Sequence, residues 1–176
     1  IKDIKRDIDK MYVILPFEKN FYEDKHNYDV EFVGHPLIDA IADSVQIDEY
    51  EFRAEHELNE KPIIALLPGS RKQEIKKMLS VMLSVVEQYP DYQFVIAGAP
   101  SQEFSFYQPF INNRNVHFVS NKTYDLLSMS TAAIVTSGTA TLETALFKVP
   151  EVVCYKGSWL SYQIGKQLVK NIINRY

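Results

Sequence analysis

Five short apolar runs, at 63–67, 93–97, 116–119, 132–136 and 151–155, recur through the second half of this chain at nearly even spacing. Between them lie stretches that read as helices, starting at Ser70, near 101–110, near 123–130 and near 139–147. In the first of these, Ile75, Met78, Leu79, Met82 and Val86 fall at helical spacing and define one buried face. Strands that alternate with helices in this way predict βαβ units, hence an α/β fold with a doubly wound parallel sheet and helices on both faces. A last helix is expected from about 158 to 171, where Trp159, Leu160, Tyr162, Ile164 and Leu168 would serve core or domain contacts.

The first sixty residues are less regular. Residues 1–10 read as the tail of a charged helix, 11–15 as a short strand ended by Pro16, Glu18 to Lys25 as a helix, and 30–33 as a strand stopped by Gly34-His35-Pro36. Asp43 to Lys61 is polar, acidic and weakly periodic, which reads as a linker or a surface helix.

Composition narrows the function classes. The 176 residues carry a net charge of −4 and no long basic run, which disfavours binding nucleic acid through its phosphates. The single cysteine, Cys154, sits in the apolar run Val152-Val153-Cys154-Tyr155 and reads as a strand residue, not a nucleophile. No apolar stretch reaches the ~20 residues of a membrane span. The start is mixed in charge and does not resemble a signal peptide, so the cytoplasm is the default compartment. The missing initial Met and the end at Asn174-Arg175-Tyr176 suggest part of a longer protein. No His-Glu-x-x-His pattern or Cys/His cluster is present, so neither a metal nor a cofactor is expected.

In an open parallel sheet, ligands bind beyond the carboxyl ends of the strands. That rule gathers Pro68-Gly69-Ser70-Arg71, Gly98-Ala99-Pro100, Val119-Ser120-Asn121, Ser137-Gly138-Thr139 and Lys156-Gly157-Ser158 on one rim. Two of these are strand-to-helix junctions of the kind that point backbone N–H groups at phosphate. Ser70 is expected to cap its helix, with Gln73 at capping-box spacing. Arg71, in what reads as the first turn, opposes the helix dipole, and a grip on phosphate would account for it. At the second junction Glu143 is expected in the first turn, where it either stabilises the dipole or accepts hydrogen bonds from ribose hydroxyls. His35 reads as a loop residue.

The ordered series Leu15-Pro16-Phe17-Glu18, Val33-Gly34-His35-Pro36-Leu37, Leu67-Pro68-Gly69-Ser70-Arg71, Ser137-Gly138-Thr139-Ala140-Thr141-Leu142-Glu143 and Tyr155-Lys156 resembles the bacterial lipid-A-disaccharide synthase family. The resemblance implies the C-terminal, Rossmann-like half of a two-domain GT-B glycosyltransferase. It implies transfer of 2,3-diacylglucosamine from UDP-2,3-diacylglucosamine to 2,3-diacylglucosamine 1-phosphate, with inversion and release of UDP. Residues 1–29 would end the N-terminal domain, 30–61 would link, and 62–176 would bind the nucleotide sugar. By position, Ser70 and Arg71 would contact the diphosphate, and Ser137, Gly138, Thr139 and Ala140 would offer it donors. Glu143 would hold the ribose, and the Val119 backbone would read uracil. His35 would face the interdomain cleft, and it and Lys156 have open roles. The general base is expected in an N-terminal domain beyond this chain, which would be a partner of this one, so the chain alone would not catalyse transfer. Peripheral contact with the inner membrane is implied by the lipid substrates. Another GT-B enzyme acting on UDP-sugars, or a non-catalytic module that binds protein on the sheet rim, are the alternative readings.

Overall fold

Ile63–Leu67 is the strand around which the larger unit is built. A computed structural model describes residues 1–44, 47–112 and 114–156. The chain divides into two units, residues 1–46 and 47–176.

In the first unit, α1 (Lys2–Asp7) precedes β1 (Tyr12–Val13), α2 (Pro16–His26), β2 (Glu31–Phe32) and α3 (Pro36–Ala42). β1 and β2 pair in parallel across α2, a single βαβ turn. Pro16 opens α2 instead of merely ending the strand, because its fixed φ suits the first helical position. Glu18 secures that start by accepting hydrogen bonds from the Ile14 and Leu15 N–H groups at 3.1 and 2.8 Å. Helix α3 is absent from the sequence reading for the same reason. Gly34-His35-Pro36 looks like a stop, yet Pro36 at the first turn starts a helix.

The second unit holds α4 (Glu49–Glu55), β3 (Ile63–Leu67), α5 (Lys72–Met82) with a 3₁₀ extension (Leu83–Gln88), and β4 (Gln93–Gly98). It continues through α6 (Phe104–Ile111), β5 (Val116–Ser120), α7 (Thr123–Ser128), β6 (Ser130–Thr136), α8 (Thr139–Leu146) and β7 (Glu151–Cys154). The helix expected at 158–171, with Trp159, Leu160, Tyr162, Ile164 and Leu168, lies outside the described residues.

The five strands are all parallel, in the order β5-β4-β3-β6-β7. The period-two alternation of a strand divides their side chains between two cores. Ala65, level with Val95 and Ala133, belongs to one. Leu66, level with Ile96 and facing Ile134, belongs to the other. Helix α5 lays the expected Ile75, Met78, Leu79 and Met82 on the second core, joined there by Tyr107 of α6. Helices α4, α7 and α8 cover the first. Both faces of β3 and β4 are therefore closed, which is why these two strands are almost continuously apolar. This is the doubly wound Rossmann-like α/β fold that the alternation predicts.

One segment holds more than its sequence reading: the linker or surface helix read at 43–61 includes α4, mostly exposed but anchored in the core. Asp48 caps α4 by accepting from the Tyr50 and Glu51 N–H groups at 2.9 and 3.3 Å. Phe52, one helical turn on, is fully buried in the first core. One aromatic among acidic neighbours is too sparse a pattern to register as periodic, but a single ring is enough to anchor a two-turn helix. Cys154 lies on β7 and is half-buried, as befits the last strand of the order.

Phe52→Ala is expected to destabilise the second unit by about 3–5 kcal/mol, the cost of emptying a buried aromatic site. Chemical denaturation followed by tryptophan-independent circular dichroism checks it. A loss below about 1 kcal/mol would mean that α4 is not part of this core.

Candidate ligand-binding cleft

The sheet order reverses at β3. From there the chain moves outward through β4 and β5, then returns to β6 on the other side of β3. The connections leaving β3 and β6 therefore part in opposite directions and leave a crevice at their carboxyl ends, the general ligand position of open α/β sheets. A cleft of about 340 Å³ lies there, entirely within the second unit.

Its walls come from three strand ends. The β3 end contributes Gly69, Ser70, Arg71 and, in the first turn of α5, Glu74; the β4 end contributes Gly98, Ala99 and Pro100. The β6 end contributes Thr136, Ser137, Gly138, Thr139 and Ala140, with Glu143 behind them and Thr123 of α7 beside them. Ser70, Arg71, Ser137, Gly138, Thr139, Ala140 and Glu143 are thus brought together. Val119 is not among the lining residues. Its side chain is 1% exposed and packs in the first core. Lys156 is exposed just past β7 and does not line the cleft. His35 belongs to the other unit, where it is an N-cap and not a plain loop residue: its Nδ1 accepts from the Leu37 N–H at 3.2 Å. Gly157 and Ser158 lie outside the described residues.

The first junction is wired differently from the sequence reading. Arg71, not Ser70, is the N-cap of α5, since the helix's first carbonyl acceptor is that of Arg71, bonded by the Ile75 N–H at 2.9 Å. Glu74, not Gln73, reaches back, and its Oε2 accepts from the Ser70 N–H at 3.3 Å. That N–H is therefore already engaged within the protein. Gly69 makes the arrangement possible. Its φ of +100° favours glycine, and a Cβ there would come within 2.2 Å of the Glu74 carboxylate. Arg71 lines the cleft and forms no ion pair or side-chain hydrogen bond with another described residue. Lys72, by contrast, lies 5.9 Å from the centre of the Phe106 ring.

Buried aromatic packing fixes the second wall. Tyr107 is fully buried and its hydroxyl accepts from the Ala99 N–H at 2.9 Å, pinning the loop after β4. Phe118 packs 4.9 Å from Tyr107, ring centre to ring centre, and directly beneath Gly98, where a Cβ would come within 2.3 Å of it. The aromatic stretch at 104–107 thus serves helix packing.

The third wall is the most open to a ligand. Helix α8 begins at Thr139 with Gly138 as N-cap, and no side chain caps it. A Cβ on Gly138 would meet nothing within 4 Å, and its φ of 160° is extended backbone that any residue adopts. Neither packing nor backbone strain accounts for glycine here. Beside it, the Thr136 hydroxyl is buried without a hydrogen-bond partner among the described residues. Nothing in the sequence distinguishes Thr136 from any other strand-end threonine.

Glu143 is the fifth residue of α8 and so lies in the second turn, not the first. The helix-dipole explanation weakens accordingly, because that effect fades beyond the first turn. Its carboxylate sits in the cleft wall, 3.4 Å from the Tyr124 hydroxyl, which donates to Oε1. Burial raises the Glu143 pKa above its ordinary value, and the Tyr124 hydrogen bond partly opposes that rise. Burial and the neighbouring Glu143 charge raise the Tyr124 pKa as well. A carboxylate kept partly desolvated beside a cleft is a hallmark of functional sites.

Among the described residues no group of three His, Cys, Asp or Glu is arranged to hold a metal, and no helix is long and apolar enough to cross a membrane.

A doubly wound parallel sheet with a cleft at its switch point, flanked by one helix with an arginine cap and one with a bare glycine cap, defines the class: a Rossmann-like α/β unit. Comparison with known proteins gives the family. The family model for lipid-A-disaccharide synthetase matches residues 1–174, and the chain belongs to that family. It is 35% identical over 180 residues to the lipid-A-disaccharide synthase of Francisella tularensis subsp. novicida, a match that takes in 97% of this chain and 47% of that protein. The enzyme of the same name from Francisella philomiragia is 36% identical over 177 residues, with the same coverage. The chain thus spans about half the length of the curated relatives it matches. Among solved structures, a glycosyl transferase family 9 protein from Veillonella parvula superimposes with a TM-score of 0.44 at 13% identity, over 96% of this chain and 68% of that one.

The raised pKa of Glu143 sets a sign for stability. Folding favours its protonated form, so its contribution is fully present below the ordinary value near 4.5 and is lost as pH rises through the raised value. Glu143→Gln is therefore expected to raise the melting temperature modestly at neutral pH. The gain should fade as pH falls through the raised pKa toward 4.5. Melting curves across that range check it, and a variant less stable at neutral pH would contradict it.

Proposed function

We propose that this chain is the donor-nucleotide half of a lipid-A-disaccharide synthase and binds the UDP part of UDP-2,3-diacylglucosamine. In the full-length enzyme the 2,3-diacylglucosamine unit passes, with inversion, to 2,3-diacylglucosamine 1-phosphate, and UDP leaves. The observation that carries this reading is the convergence in one cleft of an unpaired Arg71, the uncapped start of α8 and the Glu143 carboxylate.

The chemistry follows from charge. Breaking the bond between sugar and UDP develops negative charge on the diphosphate. Arg71 can share that charge through paired N–H donors, and the first-turn N–H groups after Gly138 can accept it along the positive end of α8. Such groups are already oriented, so they favour the departing UDP without reorganisation. The absence of a Cβ at Gly138 lets a phosphate approach the backbone. Ser70 would contribute its hydroxyl, its N–H being held by Glu74. Ser137 and Thr139 add hydroxyls, and Glu143 stands where ribose hydroxyls would donate to it. Uracil would be read at the Val119 backbone, and His35 and Lys156 would border an interdomain cleft in the full-length enzyme. No metal or other cofactor is invoked.

The base that activates the acceptor hydroxyl is proposed to come from a further domain. The first unit supports this. Two short strands and three helices leave Tyr12, Phe17, Val33 and Ile38 each more than half exposed, a surface that an additional layer would cover. In this reading residues 1–29 end that domain, 30–61 connect, and 62–176 hold the nucleotide. Lipid substrates would bring the enzyme to the cytoplasmic face of a membrane.

Titration calorimetry with UDP tests the proposal. Measurable binding is expected, and Arg71→Ala should weaken it by about 1.5–3 kcal/mol, the worth of a hydrogen bond to a charged group, or roughly tenfold to a hundredfold. Gly138→Ala should leave stability within about 1 kcal/mol of the native chain, while a methyl group against the phosphate costs roughly tenfold or more in affinity. No binding by the native chain, or full affinity in both variants, would refute the assignment. The chain alone should not turn over the two lipid substrates, and detectable transfer would show that the base lies within it.

A further inference from the structure

Glu143 does not stand alone in the cleft wall. Tyr124, on the first turn of α7, donates its hydroxyl to Glu143 Oε1 at 3.4 Å. The neighbouring Thr123 lines the cleft itself. The Tyr124 ring is braced from behind by Phe147, 5.4 Å away between ring centres, and Phe147 packs against the first core. One end of this side chain is thus held by the fold, and the other reaches the carboxylate.

This arrangement has a geometric consequence. The Glu143 side chain forms no other hydrogen bond or ion pair with a described residue. With Oε1 tethered, the rotation of the carboxylate is restricted, and Oε2 with its lone pairs is left to accept from a ligand. At 3.4 Å the tether is long, of the kind that shortens when a bound ligand fixes the acceptor.

We propose that Tyr124 is a positioning residue that orients Glu143 to accept from the 2′-hydroxyl of the bound nucleotide, so that the pair selects ribonucleotides over 2′-deoxyribonucleotides. The inference rests on the reading that the cleft binds UDP, and adds to it the residue that sets sugar selectivity. A site built to accept from a hydroxyl rejects the analogue that lacks it more strongly than an apolar pocket could, because a buried acceptor is left unpaired. Such selectivity depends on the carboxylate being held in place, which is the task assigned to Tyr124.

The test is ligand-observed NMR titration, which reads weak binding, with UDP and 2′-deoxy-UDP against the native chain, Tyr124→Phe and Glu143→Ala. The native chain should prefer UDP about tenfold or more. Glu143→Ala should bring the ratio close to one. Tyr124→Phe keeps the ring on Phe147, so its melting temperature and its affinity for 2′-deoxy-UDP should match the native chain, while its preference for UDP falls about threefold or more. Equal losses for both ligands would assign Tyr124 to packing and overturn the inference. An unchanged ratio in Tyr124→Phe beside a collapsed ratio in Glu143→Ala would overturn it too, leaving the UDP reading intact. No binding of either ligand by the native chain would remove both.

Discussion

The hydrogen bonding of Ile63–Leu67 to strands on both sides is the constraint on which the rest of the second unit depends. One neighbour, β4, follows it directly in the chain, while the other, β6, arrives only after β5 has been placed at the far edge. The reversal forces the connections after β3 and β6 apart, and the opening between them is the cleft. Nothing polar is required to create that opening. It follows from the order of five strands, of which β3 and β4 are buried on both faces by the helices that flank them. The chemistry of the site is then a matter of which residues happen to stand at the strand ends.

Those ends divide into groups with different loyalties. Gly69, Gly98 and Tyr107 serve the fold: one relieves the Glu74 carboxylate, one clears Phe118, and one satisfies the Ala99 N–H. Gly138, Arg71 and Glu143 do not have such explanations. Gly138 has room for a side chain, Arg71 has no partner among the described residues, and Glu143 is held where burial disfavours its charge. Groups that the fold tolerates without needing them are where a binding function is most economically placed. The same contrast separates the two helix starts. Glu74 engages the N–H of Ser70, whereas α8 has no side-chain cap, so the β6 end is the more open of the two to an anion.

Much of this was legible from local pattern. The alternation of strands and helices predicted the parallel sheet, and the helical spacing of Ile75, Met78, Leu79 and Met82 predicted the buried face of α5. The rim rule gathered Ser70, Arg71, Ser137, Gly138 and Thr139, which do line one cleft, together with Val119 and Lys156, which do not. Details that depend on helix starts were less accessible. Ser70 reads as a cap because serine often is one, but the positive φ of Gly69 places the loop so that Arg71 takes that position. Glu143 reads as first-turn because it stands close behind Ser137-Gly138, but counted from the helix start at Thr139 it is the fifth residue and lies in the second turn. Helix α3 was hidden by a proline that local rules treat as a stop as readily as a start.

By itself the sequence determined the class of fold and the set of strand ends from which a site could be drawn, because hydrophobic period and glycine-bearing junctions are written in neighbouring residues. The family motifs, being contiguous, were equally visible. Only the tertiary structure decided that Val119 turns into the core, that Phe52 anchors an otherwise acidic helix, and that Tyr124 reaches Glu143. Each of these joins residues from different elements. Tyr124 and Glu143 are separated by 19 positions, and they meet because α7 and α8 flank β6 on the same face of the sheet. A one-dimensional pattern carries the period of each element, but the partner of a side chain is set by where packing brings the elements together.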